Sequence, residues 1–235
     1  MPCVSVILRP FSIYAHSWSH KALVRDNFRC MLTGVVDMAS VDDNLTIRAP
    51  GETEDLTRCF HIFPDSLGNT ETHGTGPKEH ETATVWSILE RFGYEDISAE
   101  LILGSTSKNN LHRLENIMTL SPRIHALFDK MLLWLEKVDE EDNTYRVVLA
   151  RGRTHDAINV REKAHFVSHH PDLPVPNPRY LHIHATCCRI AHMSGAADYL
   201  DLVLRDIEES QVLAEDGTSA DTLTFAIHRR LADPV

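Results

Sequence analysis

The sequence predicts an α+β fold, and three stretches predict it. In the first, the apolar run Ile117-Met118-Thr119-Leu120 leads through Ser121-Pro122 into Ile124, Leu127, Phe128, Met131 and Leu132. Those steps of three and four mark one buried face of a helix. Serine favours the N-cap and proline the first turn, so a short strand turns into a helix there. In the second, Arg58 to Phe63 reads as a strand closed by Pro64. Cys59, His61 and Phe63 then share one face, and Phe60 and Ile62 the other. In the third, Leu132–Leu135 and Tyr145–Leu149 are two strands joined as a hairpin by the charged turn Asp139–Asn143.

The remaining elements follow from periodicity and punctuation. Val4–Leu8 reads as a short strand; without a basic start or a long apolar run it is not expected to be a signal peptide. A helix is expected over His20–Asn27, with Ala22, Leu23 and Phe28 inward. Arg25 and Arg29 lie four apart, either on a solvated face or as an auxiliary clamp for phosphate or carboxylate. Thr33-Gly34 and Pro50-Gly51 mark turns. A loop of Gly, Thr, His and acids covers 65–84. A helix over Thr84–Phe92 follows, with Val85, Ile88, Leu89 and Phe92 inward and Gly93 as its stop. Ile97–Leu103 is a further short helix. Residues 151–180 read as loop, with four prolines between Pro171 and Pro178 holding the chain extended. His182 and His184 alternate as on a strand. Helices are expected over Ala185–His192, Asp198–Leu213 and Thr218–Leu231. The chain thus divides into a core at 1–150, with an insertion at about 65–110, and a loop and helical C-terminal extension at 151–235 packed on it.

Composition bounds the function. The chain of 235 residues is 43% hydrophobic, enough for one substantial core. No apolar run approaches the roughly 20 residues of a membrane helix, so no membrane partner is expected. Five cysteines, an odd number without a C-x-x-C pair, argue against a disulfide framework or a zinc knuckle. A reducing, intracellular setting, cytoplasmic or nuclear, is expected. The net charge is −11, of which Asp139–Asp142 carries −4 and residues 198–216 carry −6. The rest is near neutral, which speaks against a vigorous non-specific nuclease, since phosphate binding draws on a basic excess.

His125 and Asp129 stand four apart and share a helix face beside the apolar stripe. An imidazole and a carboxylate so placed can converge on one divalent ion: Mg, Mn, Zn or Ni suits the pair. Asn116 precedes His125 by nine residues, with Phe128-Asp129 just beyond. With Cys59-Phe60-His61-Ile62-Phe63-Pro64 upstream, this order resembles the HNH nuclease motif, built on a ββα-metal core of hairpin plus helix. The resemblance is nearest to fungal HNH-domain proteins. It extends through Arg25-Asp26-Asn27-Phe28-Arg29-Cys30-Met31-Leu32-Thr33-Gly34, Trp134-Leu135-Glu136, Thr144-Tyr145-Arg146-Val147 and Ser194-Gly195-Ala196-Ala197, roughly residues 20 to 230.

The resemblance implies a role for each residue. His61 is the general base, Asn116 orients it or ties the hairpin to the helix, His125 is a metal ligand and Asp129 a second. His61, Asn116 and His125 form one catalytic pocket. Where many relatives carry an acidic or histidine ligand just before the base, this chain has Phe60. Cys59 is an auxiliary ligand or a nucleophile beside an imidazole, against the plainer reading of a buried inert thiol. Compact relatives hold the two motif halves closer together, so 65–110 is an insertion over the site. The implied function is metal-dependent phosphodiester hydrolysis on nucleic acid with a histidine base. The alternative is an HNH fold turned to fungal secondary metabolism: a cyclase, isomerase or hydrolase using the same pocket on a small-molecule substrate. A third reading is a non-catalytic interaction protein acting through its acidic C-terminal helices.

Overall fold

The computed structural model describes residues 17–68, 85–102, 110–199 and 202. The expected strand Val4–Leu8, the expected helix Thr218–Leu231 and the part of Asp198–Leu213 beyond residue 202 lie outside the described residues.

Helix α1 (Trp18–Arg25) buries Ala22 and, unexpectedly, Arg25. Arg25 is 0% exposed, which a cation tolerates only when fully paired. Its guanidinium donates to both Asp26 oxygens at 2.7 and 2.8 Å, and to the carbonyls of Leu114 (2.8 Å), Ile117 (2.9 Å) and Pro174 (3.2 Å). Arg29 grips Glu52, at 3.0 Å to each oxygen. Neither arginine lies on a solvated face as an open clamp: both hold carboxylates of this chain.

Strand β1 (Val36–Asp37) runs into α2 (Met38–Asp42) and pairs in parallel with β2 (Glu54–Asp55). Asp37 caps α2 by accepting from Ser40 N–H, and its other oxygen accepts from Thr57 N–H and Oγ. Strand β3 (Arg58–His61) follows, then a 3-10 turn at Asp65–Gly68. Helix α3 covers 85–91 and α4 covers Glu95–Ile102. The apolar stripe expected on α3 is corrected: Leu89 is buried, but Val85, Ile88 and Phe92 are exposed. Trp86 takes the inward place, donating its indole N–H to Leu67 O at 3.1 Å.

After 3-10 turns at Asn110–His112 and Leu114–Asn116, β4 (Ile117–Leu120) pairs antiparallel with β3, Arg58 opposite Leu120 and His61 opposite Ile117. Helix α5 (Pro122–Asp129) has Ser121 at its N-cap and Pro122 in its first turn. It buries Ile124 and Phe128, which stabilises the fold by about 3–6 kcal/mol. It ends before Met131, whose φ of 55° turns the chain into β5 (Leu133–Lys137). Strand β6 (Thr144–Leu149), the short helix α6 (His155–Ile158) and β7 (Lys163–His165) complete a three-stranded antiparallel sheet in the order β5-β6-β7. Three residues are too few for alternation to show, which is why β7 reads as loop in the sequence. Helix α7 (Pro178–Ser194) begins seven residues earlier than expected, because Pro178 occupies its first turn and Asn177 caps it through Arg179 N–H at 2.9 Å. His182 and His184 are therefore helical, not alternating on a strand.

The β3–β4 hairpin separates two packed faces. Phe60, Met118 and Leu120 look toward α5 and the main core with Ile124, Phe128, Leu133 and Tyr145. Cys59 and Ile117 look toward α1, packing with Trp18, Ala22 and Leu114. Helix α7 packs on β5 through Leu132, Trp134, Ala185 and Cys188. His184 stacks on Phe128 at 3.6 Å and donates to its carbonyl at 3.3 Å, and His192 donates to Met131 O at 2.7 Å. Both bonds fasten α7 to the end of α5 and the turn that follows it. Among the described residues, no helix is long and apolar enough to cross a membrane.

Candidate functional site

Asn116 closes the 3-10 turn ahead of β4 and is 0% exposed. Its Oδ1 accepts from Phe63 N–H at 2.8 Å, and its Nδ2 donates to Phe63 O at 3.0 Å and Leu111 O at 2.9 Å. Its backbone carbonyl accepts from Ile62 N–H at 2.8 Å. Every one of these bonds goes to main chain, so Asn116 fastens the end of β3 to the turn ahead of β4. Neither role expected for it is the one seen: these bonds reach no imidazole and no residue of α5, and join the two strands of the hairpin instead.

His61 ends β3 on the α1 face. Its Nε2 lies 2.9 Å from His112 Nδ1, and its ring meets Trp18 at 4.9 Å. Trp18 in turn stacks flat on His112, at 5.1 Å and 6°. Beyond His112, Asp65 Oδ1 stands 3.5 Å from its Nε2. Burial pushes His61 down to about 4, the neighbouring His112 adds to this, and Asp65 opposes it. His61 is therefore a neutral imidazole at pH 7, the form a base requires.

His125 lies across the hairpin. Its Nε2 meets Asp129 Oδ2 at 2.9 Å, one helical turn on, and Phe60 lies flat on its ring at 3.3 Å and 8°. Because side chains alternate along β3, Phe60 and His61 face opposite ways. His61 contacts Trp18 and His112, and His125 contacts Phe60 and Asp129; among the described residues no hydrogen bond or ring contact joins the two imidazoles. Cys59 shares the His61 face, but burial pushes its thiol up to about 12, and its Sγ donates to Ser19 O at 3.2 Å. A thiol so held is neither thiolate nucleophile nor ready ligand, and the inert reading fits it.

The donor set can be tested against a metal ion. His125 and Asp129 supply two donors, and Phe60 brings none to the third position. Among the described residues no group of three His, Cys, Asp or Glu side chains is placed to hold an ion. The described residues do not make a complete protein-held metal site. The described cysteines, Cys30, Cys59, Cys187 and Cys188, are free thiols.

A neutral histidine at the end of a hairpin strand, an asparagine locking that hairpin and a histidine on the helix behind it are the parts the sequence order anticipates. Residues 30–136, just under half of the chain, match the family model of the HNH endonucleases. Within that segment the chain is similar to the HNH endonucleases. The comparisons with curated proteins and with solved structures found no match. An HNH endonuclease domain points to nuclease-like function, and proteins of this kind commonly use a divalent metal and act on nucleic acid. The matched segment begins at Cys30, so α1 and Trp18 lie outside it, while β3, β4, α5 and all but the last residue of β5 lie inside.

Trp18, Asp65 and His112 escaped the sequence reading. His112 sits in a three-residue 3-10 turn with no period of its own, and 51 residues separate it from His61. The usable signal was topological. With the strands antiparallel and Ile117 opposite His61, residues just ahead of Asn116 come beside those just after Phe63, which brings His112 to Asp65 at the His61 end of the hairpin. Asp65 and His112 also bound the stretch 66–111, whose two ends meet beside His61.

Proposed function

We propose that this protein hydrolyses phosphodiester bonds in nucleic acid with His61 as the general base. The observation that carries the reading is a neutral imidazole ending β3 within the segment that matches the HNH endonucleases. The neutral ring takes a proton from water, and the water oxygen forms a bond to phosphorus. The bond from phosphorus to the leaving oxygen breaks, and that oxygen takes a proton from solvent. A positioned base of this kind contributes about 10²–10⁴-fold in rate. A pKa of about 4 makes a weak base, but an arriving phosphate anion raises it toward the useful range. No step is assigned to a metal, because the described residues offer two donors.

Local charge also supports an anionic substrate despite the net −11. An open groove of about 520 Å³ on the three-stranded sheet is lined by Arg146, Arg153, His155 and Lys163 against Glu162 as the acid. Lys163 is shared with Glu141, at 2.6 Å.

A second reading rests on Phe60. Its ring fills the place of the usual ligand and covers His125, which suits an HNH fold turned to a small-molecule cyclase, isomerase or hydrolase, as expected for fungal secondary metabolism. Plasmid nicking separates the two. Wild type, His61→Ala and His125→Ala are incubated without metal and with Mg, Mn, Ni or Zn. Nicking by wild type that drops at least a hundredfold in His61→Ala supports hydrolysis. Wild type cutting no faster than His61→Ala under every condition overturns it.

A further inference from the structure

The geometry points to His112 as the positioning residue for His61: oriented by Asp65, it accepts the His61 Nε2 proton and leaves His61 Nδ1 as the basic nitrogen. That His61 acts as a base rests on the proposed hydrolysis; the placement of the proton does not.

The argument is one of donors and acceptors. Asp65 as a carboxylate can only accept, and its Oδ1 faces His112 Nε2 at 3.5 Å. That places the proton of a neutral His112 on Nε2 and leaves its Nδ1 bare. Nδ1 lies 2.9 Å from His61 Nε2, a distance that requires one shared proton. With His112 Nδ1 bare, the proton belongs to His61 Nε2. His61 is thereby fixed in the tautomer whose lone pair is on Nδ1, and that nitrogen has no hydrogen-bond partner among the described residues. The opposite arrangement turns a bare His112 nitrogen toward the carboxylate, which both electrostatics and hydrogen bonding disfavour.

Burial and stacking hold the set in place. Trp18 lies flat on His112 and against His61, so α1 braces both rings from outside the matched segment. When His61 Nδ1 gains a proton, its Nε2–H stays bonded to His112, and the charge faces Asp65 through that ring. The charged and titratable groups acting on His61 are therefore His112 and Asp65. Each comes from one end of the stretch 66–111, so the seating of that stretch sets the orientation of the base.

The test is the nitrogen signature of His61 in the ¹⁵N-labelled full chain at pH 7, with His61→Ala and His112→Ala assigning the resonances. Wild type is expected to show a pyrrole-type Nε2 and a pyridine-type Nδ1. His112→Asn keeps an oxygen acceptor where Nδ1 was and is expected to preserve this pattern. His112→Phe keeps the stack on Trp18, removes the acceptor and is expected to bring His61 to averaged shifts. An unchanged His184 resonance shows in each variant that the fold is kept. A pyrrole-type Nδ1 on His61 in wild type, or a His112→Phe spectrum with the wild-type pattern, overturns the assignment. So does a shift of both rings on adding a chelator, since a cation then stands where the shared proton was placed. If wild type shows the expected signature but never nicks plasmid, hydrolysis fails and the positioning stands.

Discussion

Replacing Asn116 with alanine tests how the two halves of the motif are joined. The substitution removes three side-chain hydrogen bonds, to Phe63 N–H, Phe63 C=O and Leu111 C=O, and leaves both polar groups of Phe63 unsatisfied in a buried place. Each buried group left unsatisfied costs about 1–3 kcal/mol, and an alanine cavity admitting water recovers part of it. The expected loss is about 3–5 kcal/mol, a large share of the 5–15 kcal/mol typical of a folded domain. In a chain of this size that lowers the melting temperature by about 6–20 °C. Asn116→Asp should cost at least as much, because a carboxylate keeps the bond from Phe63 N–H but offers no donor to the two carbonyls. Denaturant unfolding of both variants, followed by far-ultraviolet circular dichroism, measures the loss directly. A variant within about 1 kcal/mol of wild type that has lost activity would refute the structural tie and return Asn116 to the chemistry.

Phe60→His should place a second imidazole, and so a third donor, beside His125 and Asp129; Zn or Ni affinity by titration calorimetry is expected to rise at least tenfold, about 1.4 kcal/mol, over wild type. His184 is pushed down to about 4 by burial, while the unfolded chain protonates it near the ordinary 6.5. The unfolded state thus binds more protons between those values, so stability present above pH 6.5 is lost as pH falls toward 4. The slope of the denaturation midpoint over that window should flatten in His184→Gln, and an unchanged slope counts against the buried neutral ring. Gly34 has φ of 79°, and a Cβ there runs into the end of the flexible Arg161 side chain. Gly34→Ala should cost about 1–2 kcal/mol from the left-handed backbone, with Arg161→Ala restoring little of it in thermal melts of the double variant.

The strand–turn–helix at 117–129 was legible because each local signal agreed there: the run of apolar residues, the proline in the first turn and the 3-4 stripe all describe β4 and α5. The β5–β6 hairpin was legible for the same reason. Residues whose place depends on distant partners were not. Arg25 reads as a surface cation until carbonyls at 114, 117 and 174 are known to surround it. On α3, Val85 and Ile88 have the right spacing for an inward face, yet Trp86 and Leu89 fill the space available and leave them outside. The site shows the same division. His61, Asn116 and His125 were visible by order and spacing, but which face of the hairpin each occupies was settled by alternation along β3, where Phe60 claims the α5 side. His112 and Asp65 carried no spacing signal, since residues 47 apart along the chain come together only in three dimensions.

Resemblance and foldability draw different borders on this chain. A fragment trimmed to residues 30–136 would lose the guanidinium of Arg25 that gathers the carbonyls at 114 and 117, leave β5 with no neighbouring strand, and bare the end of α5 that His184 and His192 now cover. The part that matches the family model is therefore not a part that can be excised; the side chains that hold it together reach from Arg25 to His192.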